Sequence, residues 1–442
     1  MKKYDSYKDS EIEWIGDVPS HWESWKISHA FNRIGSGTTP ESGNPIYHEN
    51  GTINWLNTGD LNDGVLYSCS KKITTKALDD YSSLKLFPTG SLVMAMYGAT
   101  IGKTAILDFE TTTNQACCVF CDSSIIDLKF LQYWFIGNKE QIINLAIGGG
   151  QPNISQNILK DIRVWCPDYS EQGSLTHFLD HKTTQIDHLI SKKEHFIQLL
   201  EEERVAVINQ AVTKGLDPNV PMKDSGIEWL GEIPEHWEVK MLKFVTSLIT
   251  NGFVGPTRDL YYETGVRYIQ SLHIKKGKID FERSPYYVSE EWSNEHPRSI
   301  LKEGDVLVVQ TGAVGEVAMV DKDYEDCNCH ALIIVRTNEK LIPVFLLNLL
   351  ESSFGKAQMK LIETGALHQH INSTKLKDII TIVPPIEEQS QIVRFIEEQR
   401  GRIQTIINKT QQEIELLKEY KTALISEVVT GKVDVRNEKL NS

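Results

Sequence analysis

Apolar residues recur at three- and four-residue spacing in two long stretches of the chain; elsewhere they fall in short runs cut by turn formers. From about Glu171 to Ala211 the apolar positions are Ile186, Leu189, Ile190, Ile197, Leu200, Val207 and Ile208. From about Glu388 to Val428 they are Ile403, Ile406, Ile407, Ile414, Leu417, Leu424 and Ile425, each 217 residues after its counterpart. So narrow a stripe suits a seam against another helix better than a broad core. The simplest partner for each stripe is the other, which predicts two helices in an antiparallel coiled coil, each about 60 Å long at 1.5 Å per residue. Pro167 and Pro384-Pro385 stand just ahead of the stripes, where the chain must break before a helix begins.

The matching stripes belong to a longer repeat. Lys8 to Glu23 reads KDSEIEWIGDVPSHWE and Lys223 to Glu238 reads KDSGIEWLGEIPEHWE, with 11 of 16 positions identical. The register continues through Gly90 and Gly304, Gly98 and Gly312, and, after a one-residue slip, Gly102 and Gly315. Asn153-Ile154 matches His370-Ile371, and Glu171-Gln172 matches Glu388-Gln389. One module is therefore written twice. Its first 160 or so residues hold short β-rich runs such as Ser91–Met96 and Val306–Gln310 between Gly, Pro, Asn and Asp. This predicts an α+β chain: two pseudo-symmetric, largely β globes joined by the two long helices. A duplicated globe on a duplicated rod suits the local two-fold of duplex DNA, where paired readers contact separated half-sites.

Composition adds one tension. The chain carries 46 Lys and Arg against 60 Asp and Glu, a net charge of −14, where a nucleic-acid binder is usually basic. Neither globe escapes it, since residues 1–165 hold 14 basic and 18 acidic groups and residues 223–383 hold 18 and 23. DNA affinity would have to come from local clusters or from a partner that supplies phosphate contacts. A coiled-coil adaptor that organises other proteins and never touches DNA is the alternative that the acidity favours. No apolar region follows the N-terminal MKKYDS, and the longest apolar stretch, Leu341 to Leu350, is too short to span a bilayer. A cytoplasmic protein with no membrane contact is expected.

Several motifs invite a catalytic reading, and each has a plainer one. Cys118 and Cys121, with Cys327-Asn-Cys329-His330, could suggest zinc, but the run Ala116 to Cys121 reads as an apolar strand of reduced cysteines. Gly98-Ala-Thr-Ile-Gly102-Lys-Thr has three residues between its glycines where a phosphate-wrapping loop needs four, and its repeat partner puts Glu316 where the first copy has Lys103. Val383-Pro-Pro-Ile386 lacks the amide and the aromatic ring of an adenine-methylating motif. No catalytic residue, metal site or cofactor of its own is expected.

Trp14-Ile-Gly-Asp-Val-Pro with His21-Trp22, Trp55-Leu-Asn-Thr-Gly-Asp-Leu61, Gly90 through Gly102-Lys-Thr-Ala, Gln151-Pro-Asn-Ile154 and Pro167 with Glu171-Gln172 occur in this order and, with variation, twice. The second copy departs at Leu367-His-Gln-His-Ile371. Over nearly its whole length the chain resembles the specificity subunits of type I restriction–modification systems. That resemblance implies target-recognition domains at 1–167 and 223–383, spacer helices at 168–214 and 384–430, a linker at 215–222 and a tail at 431–442. It implies binding to double-stranded DNA, two adenine-N6 methyltransferase subunits and ATP-driven endonuclease subunits, with S-adenosylmethionine, ATP and Mg²⁺ all held by the partners.

If the two globes read different half-sites, residues identical between them cannot discriminate, so readers belong where the copies diverge. In the first module the divergent stretches are about Thr38 to Asn50 and Asn62 to Asp80, with Lys71, Lys72 and Lys76. In the second they are Asn251 to Gly265 and His273 to Arg298, with Arg258, Lys275, Lys276, Lys278 and Arg283 among interleaved tyrosines. His368 and His370, in an expected loop, complete the candidate DNA contacts. Arginine to guanine and Asn or Gln to adenine are the expected base contacts, while most lysines would hold phosphate.

Overall fold

A computed structural model of the chain describes residues 2–146, 153–257, 259–365 and 369–438. It forms two compact units, Met1–Glu194 with Gln411–Ser442, and His195–Thr410. The long helices run from Tyr169 to Lys214 and from Ile386 to Val429. Each unit therefore takes one end of each helix. No helix among the described residues is long and apolar enough to cross a membrane.

In the first unit a five-stranded sheet runs in the order Arg33–Gly35, Cys117–Cys121, Leu92–Ala95, Thr104–Leu107, Val65–Leu66. Leu92–Ala95 and Cys117–Cys121 are buried at every position, which is why they read as continuous apolar runs rather than alternating ones. A smaller sheet sets Ile53–Leu56 between Thr112–Thr113 and Lys72–Ile73. The second unit repeats both, its larger sheet with four strands instead of five. Its larger sheet runs Thr246–Asn251, Leu332–Thr337, Val306–Val309, Val317–Met319, and its smaller one sets Val266–Ile269 between Tyr287–Val288 and Asn328–Cys329. Each globe closes by pairing an early strand with its final one, Glu23–Lys26 with Arg163–Cys166 and Glu238–Met241 with Ile380–Val383.

The Glu-Gln pair at the start of each long helix explains how globe and helix are fixed together. Gln172 is fully buried; its Nε2 donates to the carbonyls of Ile125 (2.8 Å) and Pro167 (2.9 Å), and its Oε1 accepts from Asp127 N (2.8 Å). Gln389 repeats this on Lys340, Pro384 and Ile342 at 2.8, 2.9 and 2.8 Å. The neighbouring glutamate turns the other way. Glu171 lies 3.0 Å from His21 Nε2 and accepts from Trp22 Nε1 at 3.3 Å; Glu388 meets His236 at 2.7 Å and Trp237 at 3.0 Å. The repeated His-Trp motif is thus the socket for the repeated glutamate. In the first unit Tyr4 also donates to Glu171 (2.9 Å), and burial, then the carboxylate, push its hydroxyl pKa upward.

Within the first unit the two helix ends lie antiparallel: Lys421 Nζ meets both oxygens of Asp187 at 2.7 Å, and Lys193 pairs with Glu413. Within the second, Ile208, Ala211 and Val212 of one helix and Ile392 and Ile396 of the other share a core with the globe. Along the stripes Ile186, Ile190, Leu200, Ile208, Ile403, Ile414, Leu424 and Ile425 are buried, and Ile197, Val207, Ile406, Ile407 and Leu417 are half-buried. Leu189 departs from expectation at 43 % exposed. It stands about 60° round the helix from Ile186 and about 100° from Ile190, at the edge of a seam too narrow to cover it.

Candidate nucleic-acid interface

The hydrogen bonds of the smaller sheets align the two globes residue by residue. Trp55 N donates to Lys71 O (3.0 Å), and Tyr268 N donates to Tyr286 O (2.8 Å). Ile53 pairs with Ile73 and Val266 with Val288. Trp55 thus corresponds to Tyr268, Lys71 to Tyr286 and Lys72 to Tyr287. The scaffold is shared and its side-chain chemistry is not.

In the first unit Lys71 and Lys72 are exposed beside a cleft of about 650 Å³, lined also by Ser42, Asn44, His48, Trp55 and Asn57. Trp55 forms its apolar wall; its Nε1 donates to Thr38 O (3.1 Å), and Lys71 Nζ stands 5.8 Å from its ring centre. The structure thus brings together the two divergent stretches of this module, around residues 39–49 and 71–72. Lys76 is not part of the cleft: it lies on the helix Thr75–Asp80, tied to Asp80 at 2.6 Å.

In the second unit Lys275, Lys276 and Lys278 crowd one hairpin. Ile274 pairs with Ile279 and Lys275 with Lys278, leaving Lys276 and Gly277 as the two turn residues. Both have positive φ, 51° and 77°, the geometry of a type I′ turn. Three exposed lysines around so tight a turn make a compact basic cluster in an acidic chain. Arg283 is exposed, with Nη1 3.4 Å from Leu272 O. Arg258 and His368 lie outside the described residues, as do Gln151 and Pro152.

His370 lies outside the strands and helices, held by isolated backbone bridges. Its backbone bridges Thr311 and Thr364, as that of Asn153 bridges Tyr97, and Ile371 N and Ile154 N each bond the strand beside the glycine turn. Its ring nitrogen lies 3.3 Å from Thr364 Oγ1. His370 therefore holds a framework position shared by both copies.

Trp55 lies outside the divergent stretches from which readers are expected, yet it forms part of the cleft wall. The visible signal was that none of Trp55 to Asp60 recurs in the matched segment Tyr268 to His273.

The three motifs with a catalytic reading occupy framework positions as well. Gly98 and Gly102 (φ 82° and 75°) turn the chain between the antiparallel strands Leu92–Ala95 and Thr104–Leu107, where a phosphate loop would lead into a helix. Cys118 and Cys121 stand three apart on one strand and so face opposite sides of the sheet. Burial pushes the Cys117 thiol up to about 12 and raises Cys118 further. Pro384-Pro385 separates the strand Ile380–Val383 from the second long helix.

The chain matches the type I restriction modification DNA specificity domain twice, over residues 19–196 and 234–416. It is 24% identical over 430 residues to the type I restriction enzyme MjaVIII specificity subunit of Methanocaldococcus jannaschii, spanning 95% of each chain. It is 27% identical over 254 residues to the EcoBI specificity subunit of Escherichia coli, spanning 56% of this chain and 53% of that one. Its fold is similar to that of a chain from a structure of a type I R-M system, with a TM-score of 0.71, 15% identity, and 94% of this chain and 99% of that one covered. The HsdS subunit from Thermoanaerobacter tengcongensis is similar at a TM-score of 0.56, with 14% identity over 94% and 98%. The chain belongs to the family of type I restriction–modification specificity subunits.

Proposed function

We propose that this family member is the non-catalytic, sequence-reading subunit of its complex, with each globe reading one half of a two-part DNA target. One observation carries the reading: matched backbone positions on the smaller sheets present Lys71-Lys72 in one globe and Tyr286-Tyr287 in the other. A duplicated scaffold with unlike side chains at matched positions suits two recognition tasks of one kind. Methyltransferase subunits and endonuclease subunits dock on the chain, and S-adenosylmethionine, ATP and Mg²⁺ act on those partners. The framework roles of the glycine turns, the strand cysteines and the proline pair support a chain with no reaction centre of its own. The net charge of −14 then demands that partners supply much of the phosphate neutralisation.

The test is DNA binding by the purified chain, alone and with its cognate methyltransferase. The chain alone should bind poorly, and the assembly tightly. Lys275→Glu with Lys276→Glu should weaken the assembly and make its salt dependence shallower, because fewer counterions are released per complex. Tight, specific binding by the chain alone would contradict the shared clamp. A methyltransferase that binds its target equally well without the chain would favour the adaptor reading, for which the acidity is the best support.

A further inference from the structure

Phosphate holding is needed wherever DNA is bound, so its residues gain nothing by differing between two copies of one scaffold. Base reading must differ if the half-sites differ. The matched strands Lys72–Ile73 and Tyr287–Val288, together with the residue before each, separate these two demands.

At this place the first globe has an open cleft and the second has aromatic packing. Lys71 and Lys72 rim the cleft, with the Trp55 ring as its wall. In the second globe Tyr286 packs on Tyr261 with ring centres 4.7 Å apart, and Gln270 Nε2 donates to Tyr261 OH at 3.0 Å. The charge has been deleted and rings stand in its place. The lysines of the 275–278 hairpin also lack basic counterparts, but they are exposed around a two-residue turn whose Gly277 is buried and bridged to Ala318, an outward-facing cluster suited to a phosphate. Lys71 and Lys72 border a concavity, where a base edge can be met from the side.

We propose that Lys71 and Lys72 are specificity-determining residues that read a guanine in the half-site of the first globe, through the O6 and N7 acceptors on its major-groove edge. Ammonium donors match an edge that presents two acceptors, whereas adenine puts an amino donor in place of O6. Tyr286 and Tyr287 replace the two ammonium groups by half-buried rings packed on Tyr261 and Phe281, so the half-site of the second globe carries no guanine preference at the matched position. This inference rests on the reading of the chain as a specificity subunit.

The experiment gives the full chain the residues of its own second copy, Lys71→Tyr with Lys72→Tyr, beside its cognate methyltransferase in cells. Methylated motifs are read by single-molecule sequencing. The expected result is a motif relaxed at one guanine of one half, discrimination there falling roughly tenfold or more, and the other half unchanged. The same motif methylated uniformly less would make the lysines phosphate contacts and overturn the inference. So would an unchanged motif. If the tyrosine pair abolishes methylation, Lys71→Gln with Lys72→Gln, which adds no ring to the cleft, decides by the same outcomes. A wild-type chain that directs no two-part motif would overturn the underlying reading as well; a two-part wild-type motif unaltered in both variants overturns this inference alone.

Discussion

Replacing Gln389 by leucine isolates what the joint between globe and helix contributes. The amide is fully buried and makes three hydrogen bonds to main-chain groups of Ile342, Lys340 and Pro384. Leucine is close in size but strands two carbonyls and one N–H away from water. Each lost bond is worth about 1 kcal/mol net, and stranded buried groups cost about 1–3 kcal/mol each when nothing replaces the partner. Local relaxation and the more apolar side chain return part of this, so the net expectation is about 2–4 kcal/mol. For a cooperative unit of about 200 residues, each kcal/mol moves Tm by about 2–4 °C, so calorimetry should show a fall of about 4–16 °C. Gln172→Leu should cost a similar amount in the other unit, since its three bonds match at 2.8, 2.8 and 2.9 Å. A change of less than about 1 °C in either variant would refute the argument, by showing that the buried amide does not hold the joint.

Three further outcomes follow from matched positions and burial. Asp305, fully buried, clasps Arg336 through two bonds of 2.7 and 2.8 Å, where the first globe has Ser91 and Cys121 at 3.3 Å; Asp305→Ala should cost about 2–4 kcal/mol in a denaturation curve, and Asp305→Ser with Arg336→Cys should recover at least half of it. A Cβ on Gly137 would lie 2.9 Å from Ser426 Cα, so Gly137→Val should destabilise the first unit by about 1–3 kcal/mol in the same assay, with Gly173→Val, which meets nothing within 4 Å, as the control for lost helical glycine. Cys69 is half-buried and desolvation raises its thiol pKa, so in the native chain it should react with a disulfide reagent more slowly than a free thiol near neutral pH and speed up as pH rises past the ordinary thiol value; Cys117 and Cys118 should stay silent until denaturant is added.

The long helices, the duplication and the β character of the globes were legible because each is a periodic or repeated property of neighbouring residues. The seam residues followed from spacing alone, except Leu189, where spacing says nothing of how wide a groove the partner offers. The role of Glu171 was not legible. Its partners His21 and Trp22 lie about 150 residues earlier, and a carboxylate near a helix start has an adequate local explanation without them. The cleft was half legible: divergence between the copies picked out residues 39–49 and 71–72, but only pairing of the strand Ile53–Leu56 with Lys72–Ile73 places them on one rim. The anchoring of His370 was not legible, because a polar, histidine-rich stretch says nothing of the main-chain bridges that hold it at a position its repeat partner also occupies.

Genome-wide adenine methylation, read in cells that carry this chain with its cognate methyltransferase, tests the central claim most directly. A motif in two parts should be present, should vanish when the chain is deleted, and should change in one part only when residues 223–383 are exchanged for those of a relative. Methylation indifferent to deletion of the chain, with the methyltransferase expressed and active, would contradict its role as the reader of the sequence.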